Sequence, residues 1–492
     1  MKKRTELLHT IQQQQGFDIV IIGGGATGLG TALDACLRGH SVLLLEQFDF
    51  GKGTSSKSTK LVHGGVRYLA QGNLKLVMQA LKERGRLLTN APSCTYTQEF
   101  VIPTYSFWWQ CYYYMGLKLY DILAGRWSLG ATQWLSKNAV QKKLPSLQTS
   151  RLVGGISYTD GAFDDTRLLM LLLQHAIKNG AYAINHCSVT SLITNEEGTI
   201  GGVVAYDSVT ETSFSCKAKV VINATGVFAD NIMKMSNAQY VASIRPSQGI
   251  HLVIQKKFFA GNAALMIPKT ADGRVLFAVP WQEVILVGTT DTPIDTIEHE
   301  PQALDHEIDF ILSHFNEVNS TQITKQDVNA VYVGLRPLLQ QKNAASTAVL
   351  SRDHAIIINE EKLLTVTGGK WTTYRKMAED AVNNAAFLGN LPKQACATAN
   401  YTLTVHTQDV FAITSSQLSQ QQVAYYVQYE MAYTVEDVLA RRTRLLFKNV
   451  RQALAIAPQV AEWLQALHQE TDAWRTKQLQ QFTELAKKYS LH

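Results

Sequence analysis

Three glycines, Gly23, Gly25 and Gly28, stand in the spacing G-x-G-x-x-G, and an acid, Glu46, follows them. In such a turn one glycine permits the tight bend, one lets the backbone approach a pyrophosphate, and one lets helix and strand pack closely. The helix that follows offers free N–H groups and a partial positive charge to a phosphate. An acid at the Glu46 position accepts hydrogen bonds from both ribose hydroxyls, which argues against NADP and does not separate NAD from FAD. Next comes a small, polar stretch containing Gly51, Gly53, Thr54, Ser55, Ser56, Ser58 and Thr59, interleaved with Lys57, Lys60, His63 and Arg67. Small residues let backbone N–H groups face an anion, and the cations add charge. A plain surface loop would not need the apolar anchors Leu61-Val62 and Val66, Tyr68, Leu69 beside it. Two later points also carry cations at turns: Arg336-Pro337, and Lys370 after Gly368-Gly369.

Several elements must position these residues. Phe17–Ile22 is a nearly continuous apolar run, as in a parallel strand buried on both faces. A helix is expected from Thr27 to Arg38, closed by Gly39, and a second strand over Ser41–Leu45. Lys217–Asn223 leads through Ala224-Thr225-Gly226 into another helix, and Leu363–Val366 leads through Gly368-Gly369 into a helix from Trp371. The nucleotide-binding unit is therefore expected to be discontinuous. Between its pieces, Gly249–Gln255, Val275–Val279 and Val284–Val287 read as hairpin strands of an antiparallel sheet. From about Ala395 the chain turns helical, with a capping-box start at Thr434–Asp437. Arg441, Arg442 and Arg444 after it read as a solvated face. Ser106–Trp127 gathers Trp108, Trp109, Tyr112, Tyr113, Tyr114, Tyr120 and Trp127. That composition suits a membrane interface and an aromatic core helix equally well.

At 492 residues the chain is too long for one core, and 46% hydrophobic with 17% charged residues is globular. A net charge of +6 suits acidic small molecules or an anionic lipid surface and gives no sign of nucleic-acid binding. The six cysteines show no metal-ligand spacing, so free thiols in a reducing compartment and no metal are expected. Met1–Gly16 is basic without an apolar core, so no signal peptide is read there, and no apolar run is long enough to span a bilayer.

The segments GGGATG, GTSSKSTKLVHGGVRYL, DGAFDDTRL, NATGVFAD, LVGTTDTP, VGLRPL and GGKWTTYRKMAE occur in this order. Together the chain resembles the FAD-dependent glycerol-3-phosphate dehydrogenase family, and EMAYTVEDVLARRTRLLF resembles that family's C-terminal helical domain. The resemblance implies an α/β fold: a Rossmann-like FAD-binding domain (1–82, 153–235 and 352–395) with an inserted antiparallel-sheet substrate domain of the amino-acid-oxidase type. That substrate and membrane-facing part is expected at 83–152 and 236–351, and the helical domain at 396–492. It implies oxidation of sn-glycerol 3-phosphate to dihydroxyacetone phosphate, with electrons passing through FAD to a membrane quinone. It further implies peripheral, monotopic attachment to the cytoplasmic face of the inner membrane, or a cytoplasmic protein, and it leaves a homodimer open.

Carried over residue by residue, the cofactor contacts fall on Gly23, Gly25, Ala26, Thr27, Gly28 and Glu46, then on Ser55, Ser56, Lys60, His63 and Gly65. Further cofactor contacts fall on Val189, Ala224, Thr225 and Gly226, and on Gly369, Lys370 and Thr372. Substrate contacts fall on Arg67, Tyr68, His251, Arg336, Arg352 and Lys370. Here Gln248-Gly249-Ile250 precedes His251, where some relatives have a lysine. A phosphate dianion needs more than one cation, and arginine matches its oxygens two at a time. Arg336 and Arg352, then Arg67, suit that clamp. A histidine titrating near neutrality suits the base that takes the hydroxyl proton, and either His63 or His251 fills that role. Lys370, at a helix start, is placed to stabilise a developing alkoxide. The competing readings are an oxidase using dioxygen, an amine or hydroxy-acid oxidase, and a non-catalytic FAD-binding protein. A NAD-dependent cytosolic dehydrogenase fits the domain order poorly.

Overall fold

The structure is a computed structural model describing residues 4–70, 72–270, 273–339, 354–405 and 418–491. Its first sheet is built on Phe17–Ile22, which pairs in parallel with Val42–Leu45 on one side and with Thr212–Asn223 on the other. The described order runs His354–Ile358, Leu364–Gly368, Thr212–Asn223, Phe17–Ile22, Val42–Leu45, Tyr182–Ile184. Among the described strands of this sheet, the His354–Ile358 edge and the hairpin Cys187–Thr194/Ile200–Asp207 are the ones that run antiparallel to their neighbours. The apolar run of the central strand is explained by this position. Ile19 and Ile21 face a layer formed by the helices Ala26–Leu37, Asp165–Lys178 and Tyr374–Leu388. Val20 and Ile22 face the opposite layer, where the N-terminal helix Arg4–Gln13 buries Leu8 and Ile11.

The second sheet is mostly antiparallel. Ile244–Gln255 and Val328–Leu339 pair along nearly their whole length, in a register that opposes Ser247 to Arg336 and His251 to Tyr332. The expected hairpin is present as Leu276–Trp281 and Val284–Gly288. One pairing, Ala264–Ile267 with Thr95–Thr104, is parallel. The strands Leu61–Val62 and Gly154–Phe163, in stretches assigned from sequence to the cofactor domain, pair in this second sheet. The chain thus passes between sheets more often than the boundaries read from sequence imply.

The C-terminal helices Gln420–Glu430, Val450–His468 and Asp472–Lys487 share a core with Trp281, Val284 and Tyr332 of the second sheet. The expected capping box forms: the Asp437 N–H donates to Thr434 Oγ1 at 3.1 Å, and the Thr434 N–H donates to the Asp437 carboxylate at 2.9 Å. Arg441, Arg442 and Arg444 are not a solvated face. All three are buried, Arg441 and Arg442 on the Asp49 carboxylate and Arg444 on Asp164 at 3.0 Å. They join the helical domain to loops of the two sheets.

Candidate active site

Two cavities meet at one turn. The first, about 370 Å³, runs along the C-terminal ends of the parallel strands. Gly23 has φ of +108°, and a Cβ there would lie 2.7 Å from the Ala224 carbonyl oxygen. A Cβ on Gly28 would lie 1.8 Å from the Gly23 carbonyl oxygen, so Gly28 shapes the turn from behind without lining the cavity. Gly25, Ala26 and Thr27 line it, and the Ala26 N–H donates to Ser55 Oγ at 3.0 Å. Glu46 lines it too. Its carboxylate accepts from the Gly24 N–H at 2.6 Å and the Phe48 N–H at 2.9 Å, which fixes it at the strand end. Burial lifts this carboxyl above its ordinary value, against the pull of those two bonds. Val189, Ala224, Thr225 and Gly226 form the opposite wall. A glycine cradle, a helix N-terminus and a buried acid in this order fit an FAD dinucleotide.

Besides Gly28, the expected cofactor residues Ser56 and Lys60 line neither cavity. Ser56 is fully buried. Lys60 is fully buried as well, with Nζ 2.7 Å from the Asp165 carboxylate and 2.7 Å from the Ser56 carbonyl oxygen, beneath the rings of Trp281, Tyr332 and Phe447. It neutralises a buried acid under the loop and does not reach the pyrophosphate side. His63, Gly65 and Thr372, also expected at the cofactor, line the second cavity, where the His63 N–H donates to Thr372 Oγ1 at 3.2 Å.

The second cavity, about 310 Å³, lies against the second sheet. Thr54, Pro337 and the turn Gly368–Trp371 line both cavities, so the two adjoin there. Gly368 and Gly369 have φ of +76° and +72°, and the Trp371 indole N–H donates to the Ser55 carbonyl oxygen at 2.8 Å. Thr54 Oγ1 donates to the Leu335 carbonyl oxygen at 2.6 Å. These bonds lock the phosphate loop, the late turn and the second sheet together.

Arg336, His251, Tyr68 and Lys370 all line the second cavity. The Arg336 guanidinium is 3.2 Å from Asp291, and it donates to Thr289 Oγ1 at 3.2 Å and to the Thr290 carbonyl oxygen at 2.9 Å. Lys370 Nζ sits 3.6 Å from the centre of the Tyr68 ring, a cation–π contact. His251 Nε2 is 2.9 Å from Thr59 Oγ1, and its ring stacks on Tyr332 at 4.9 Å. Burial first, then Arg336 and Lys60, push its pKa down to about 3. Its Nδ1 is buried with no hydrogen-bond partner among the described residues. The near-neutral titration expected of a base is therefore not found at His251. Arg352 and the Arg67 side chain lie outside the described residues.

Sequence reasoning missed Gly249. A Cβ there would lie 2.2 Å from Arg336 Nη2 and 2.6 Å from Thr289 Oγ1. A glycine in the interior of a strand is the signal that marks such a close approach. Burial pushes the thiols of Cys36 and Cys187 up to about 12, so neither is a nucleophile, and no metal-binding group of side chains occurs among the described residues.

Comparison with known proteins gives consistent results. A family described as FAD dependent oxidoreductase matches residues 18–375, and one described as the C-terminal domain of alpha-glycerophosphate oxidase matches residues 395–475. Human mitochondrial glycerol-3-phosphate dehydrogenase is 36% identical over 520 residues, covering 93% of this chain and 71% of that protein. The counterpart from Schizosaccharomyces pombe is 33% identical over 545 residues, covering 92% of this chain and 84% of that protein. The solved glycerol-3-phosphate dehydrogenase from Bacillus halodurans, complexed with FAD, superposes with a TM-score of 0.81 at 27% identity, covering 99% of this chain and 98% of that one. The FAD-bound L-alpha-glycerophosphate oxidase from Mycoplasma pneumoniae shares the fold, with a TM-score of 0.61 at 19% identity over 80% of this chain and all of that one.

Proposed function

The chain belongs to the FAD-dependent glycerol-3-phosphate dehydrogenase family, and from that premise we propose that it oxidises sn-glycerol 3-phosphate at C2 to dihydroxyacetone phosphate and passes the electrons to a membrane quinone. The observation that carries this reading is the convergence of Arg336, Lys370, Tyr68 and His251 on a cavity that shares the turn Gly368–Trp371 with the cofactor cavity. Bound FAD supplies the acceptor for the C2 hydride. The chain's own residues bind, orient and move the proton. Arg336, aimed by Asp291, Thr289 and Thr290, takes phosphate oxygens two at a time. Lys370 adds the second positive charge and stabilises the developing alkoxide. The Arg67 and Arg352 positions complete the clamp as the family pattern implies.

A general base works best when its pKa lies near the operating pH. His251, held down to about 3 mainly by burial, fits that poorly and serves as an uncharged wall. His63, half-buried on the same cavity, is the proton acceptor in this reading.

The helix Phe107–Ala124 supports the membrane part of the proposal. Trp108, Tyr112, Met115, Leu119 and Ile122 recur at helical spacing and form one exposed stripe, with Trp108 80%, Met115 71% and Ile122 73% exposed. An apolar and aromatic stripe of this kind suits the headgroup boundary of a bilayer, where the helix lies flat. Among the described residues, no helix is long and apolar enough to cross a membrane. The reading therefore places the chain on a membrane surface.

Dioxygen as acceptor is the second reading, favoured by the match of residues 395–475 to a domain named for an oxidase. Anaerobic addition of glycerol 3-phosphate to the FAD-loaded protein tests the first step. Absorbance at about 450 nm bleaches with the phosphate ester and not with glycerol or glycine. Reoxidation by a ubiquinone analogue but not by air then selects the dehydrogenase. A flavin that stays oxidised with glycerol 3-phosphate defeats the proposal.

A further inference from the structure

Two rims of the cofactor cavity are held by the helical C-terminal region. The first rim is the loop after Val42–Leu45, where Phe48, Gly51 and Lys52 line the cavity. Within that loop Asp49 is fully buried and takes both Arg441 and Arg442, the latter at 2.6 and 2.8 Å. Lys52 reaches Glu436 at 2.8 Å. The second rim is His299, in the connection between Thr292–Pro293 and the helix Asp305–Val318. The next residue, Glu300, holds that connection down. Its carboxylate takes Lys57 at 2.7 Å and the Tyr489 hydroxyl at 2.8 Å, and its carbonyl oxygen takes Lys488 at 3.0 Å.

The rims touch. The His299 ring stacks on Phe228 at 4.4 Å with 26° between planes, and meets Phe48 edge-on at 4.8 Å. Phe48, His299 and Phe228 come from three separate stretches of chain and all line the cofactor cavity. Such a row of rings covers apolar cofactor surface without fixing it by hydrogen bonds. Burial, with the nearby Lys52 charge, lowers the His299 pKa, so the imidazole stays neutral and stacks.

We infer that the helical C-terminal region is a latch for the cofactor: through Asp49 and Glu300 it keeps Phe48 and His299 closed over bound FAD, and FAD leaves only when that closure opens. Phe48, Asp49, His299 and Glu300 do not line the second cavity, and of the groups they hold only Lys57 does, so His299 reports on cofactor retention apart from substrate binding.

The test uses the FAD-loaded full chain. Release of FAD is followed by the rise in flavin fluorescence after dilution, in the wild type, His299→Ala and Glu300→Gln, alongside KM for glycerol 3-phosphate and thermal unfolding at saturating FAD. The expected result is release roughly five- to tenfold faster in both variants, the scale of one lost ring contact or one lost charged anchor, with KM unchanged in His299→Ala. Release at the wild-type rate in both overturns the inference, whatever happens to the unfolding temperature. If His299→Ala does not fold, His299→Phe decides: slow release retained by the aromatic replacement supports the roof, and release as fast as from Glu300→Gln overturns it.

Discussion

Gly249 decides where Arg336 sits, because any Cβ at that position meets the guanidinium. Since the groups that must move are side-chain atoms, the Arg336 guanidinium and the Thr289 hydroxyl, and not backbone, Gly249→Ala is expected to displace Arg336 with little effect on folding. Loss of a charge-assisted phosphate contact raises KM for glycerol 3-phosphate roughly ten- to hundredfold, with a smaller fall in kcat and an unfolding temperature near wild type. Steady-state kinetics with an unchanged KM would remove Arg336 from the clamp. Lys60 makes the opposite case. Lys60→Met strands the Asp165 carboxylate in the interior and is expected to cost about 3–5 kcal/mol of stability. FAD affinity of the folded protein should stay at the wild-type level in a fluorescence titration, since the ammonium does not line the cofactor cavity. A weakened FAD affinity in folded Lys60→Met would restore the role read from sequence. A lysine among serines and glycines looks like an anion ligand, and only the fold brings it to Asp165. Glu46 and the glycines were legible because their chemistry is local: turn, helix start and acid lie within one βαβ unit.

Elements were legible where their pattern is their own. The strand Phe17–Ile22, the helix after it and the turn at Gly368-Gly369 all follow from apolar runs and glycines. The arginine face of the C-terminal domain was not, because Arg441, Arg442 and Arg444 look solvated until Asp49 and Asp164 are brought to them. Likewise, the middle strand Gly154–Phe163 pairs with Thr95–Thr104 and carries no mark of which sheet it joins. The aromatic helix left sequence undecided between a buried and a lipid-facing role, and it carries both a buried and an exposed side. Tyr120 and Leu117 are buried, whereas the Trp108–Ile122 stripe is exposed. Replacing Trp108 and Ile122 together by Ser should therefore leave the unfolding temperature within about 2 °C of wild type, as expected for surface positions. The same protein should bind anionic lipid vesicles at least roughly tenfold more weakly in co-sedimentation, since about 25 cal/mol is lost per Å² of apolar contact. Equal sedimentation of both proteins would leave the stripe without a lipid partner.

The whole molecule carries its own pH response. The His251 pKa is pushed from 6.5 to about 3, so the unfolded chain takes up a proton below its ordinary value while the folded chain does not. This group's contribution is complete above pH 6.5 and is lost as the pH falls toward about 3, by at most about 1.4 kcal/mol per pH unit. Chemical denaturation of the wild type and of His251→Gln between about pH 6 and pH 4.5 should give a shallower decline in the variant, and parallel declines would show that His251 is not held neutral. The turn Gly368–Trp371 has a separate consequence, for synthesis. It walls both cavities together with residues near the N-terminus, and the C-terminal helices that anchor the rims are made later still. At about 5–20 residues per second, a ribosome needs roughly 20–75 s to reach that turn. Until then the glycine-rich motif has emerged without the wall formed by Val366–Trp371, Tyr374 and Met377. Phe17–Ile22 gains both its neighbours by Asn223, but Thr212–Asn223 waits with one edge open for Leu364–Gly368, the last of the described strands to be made.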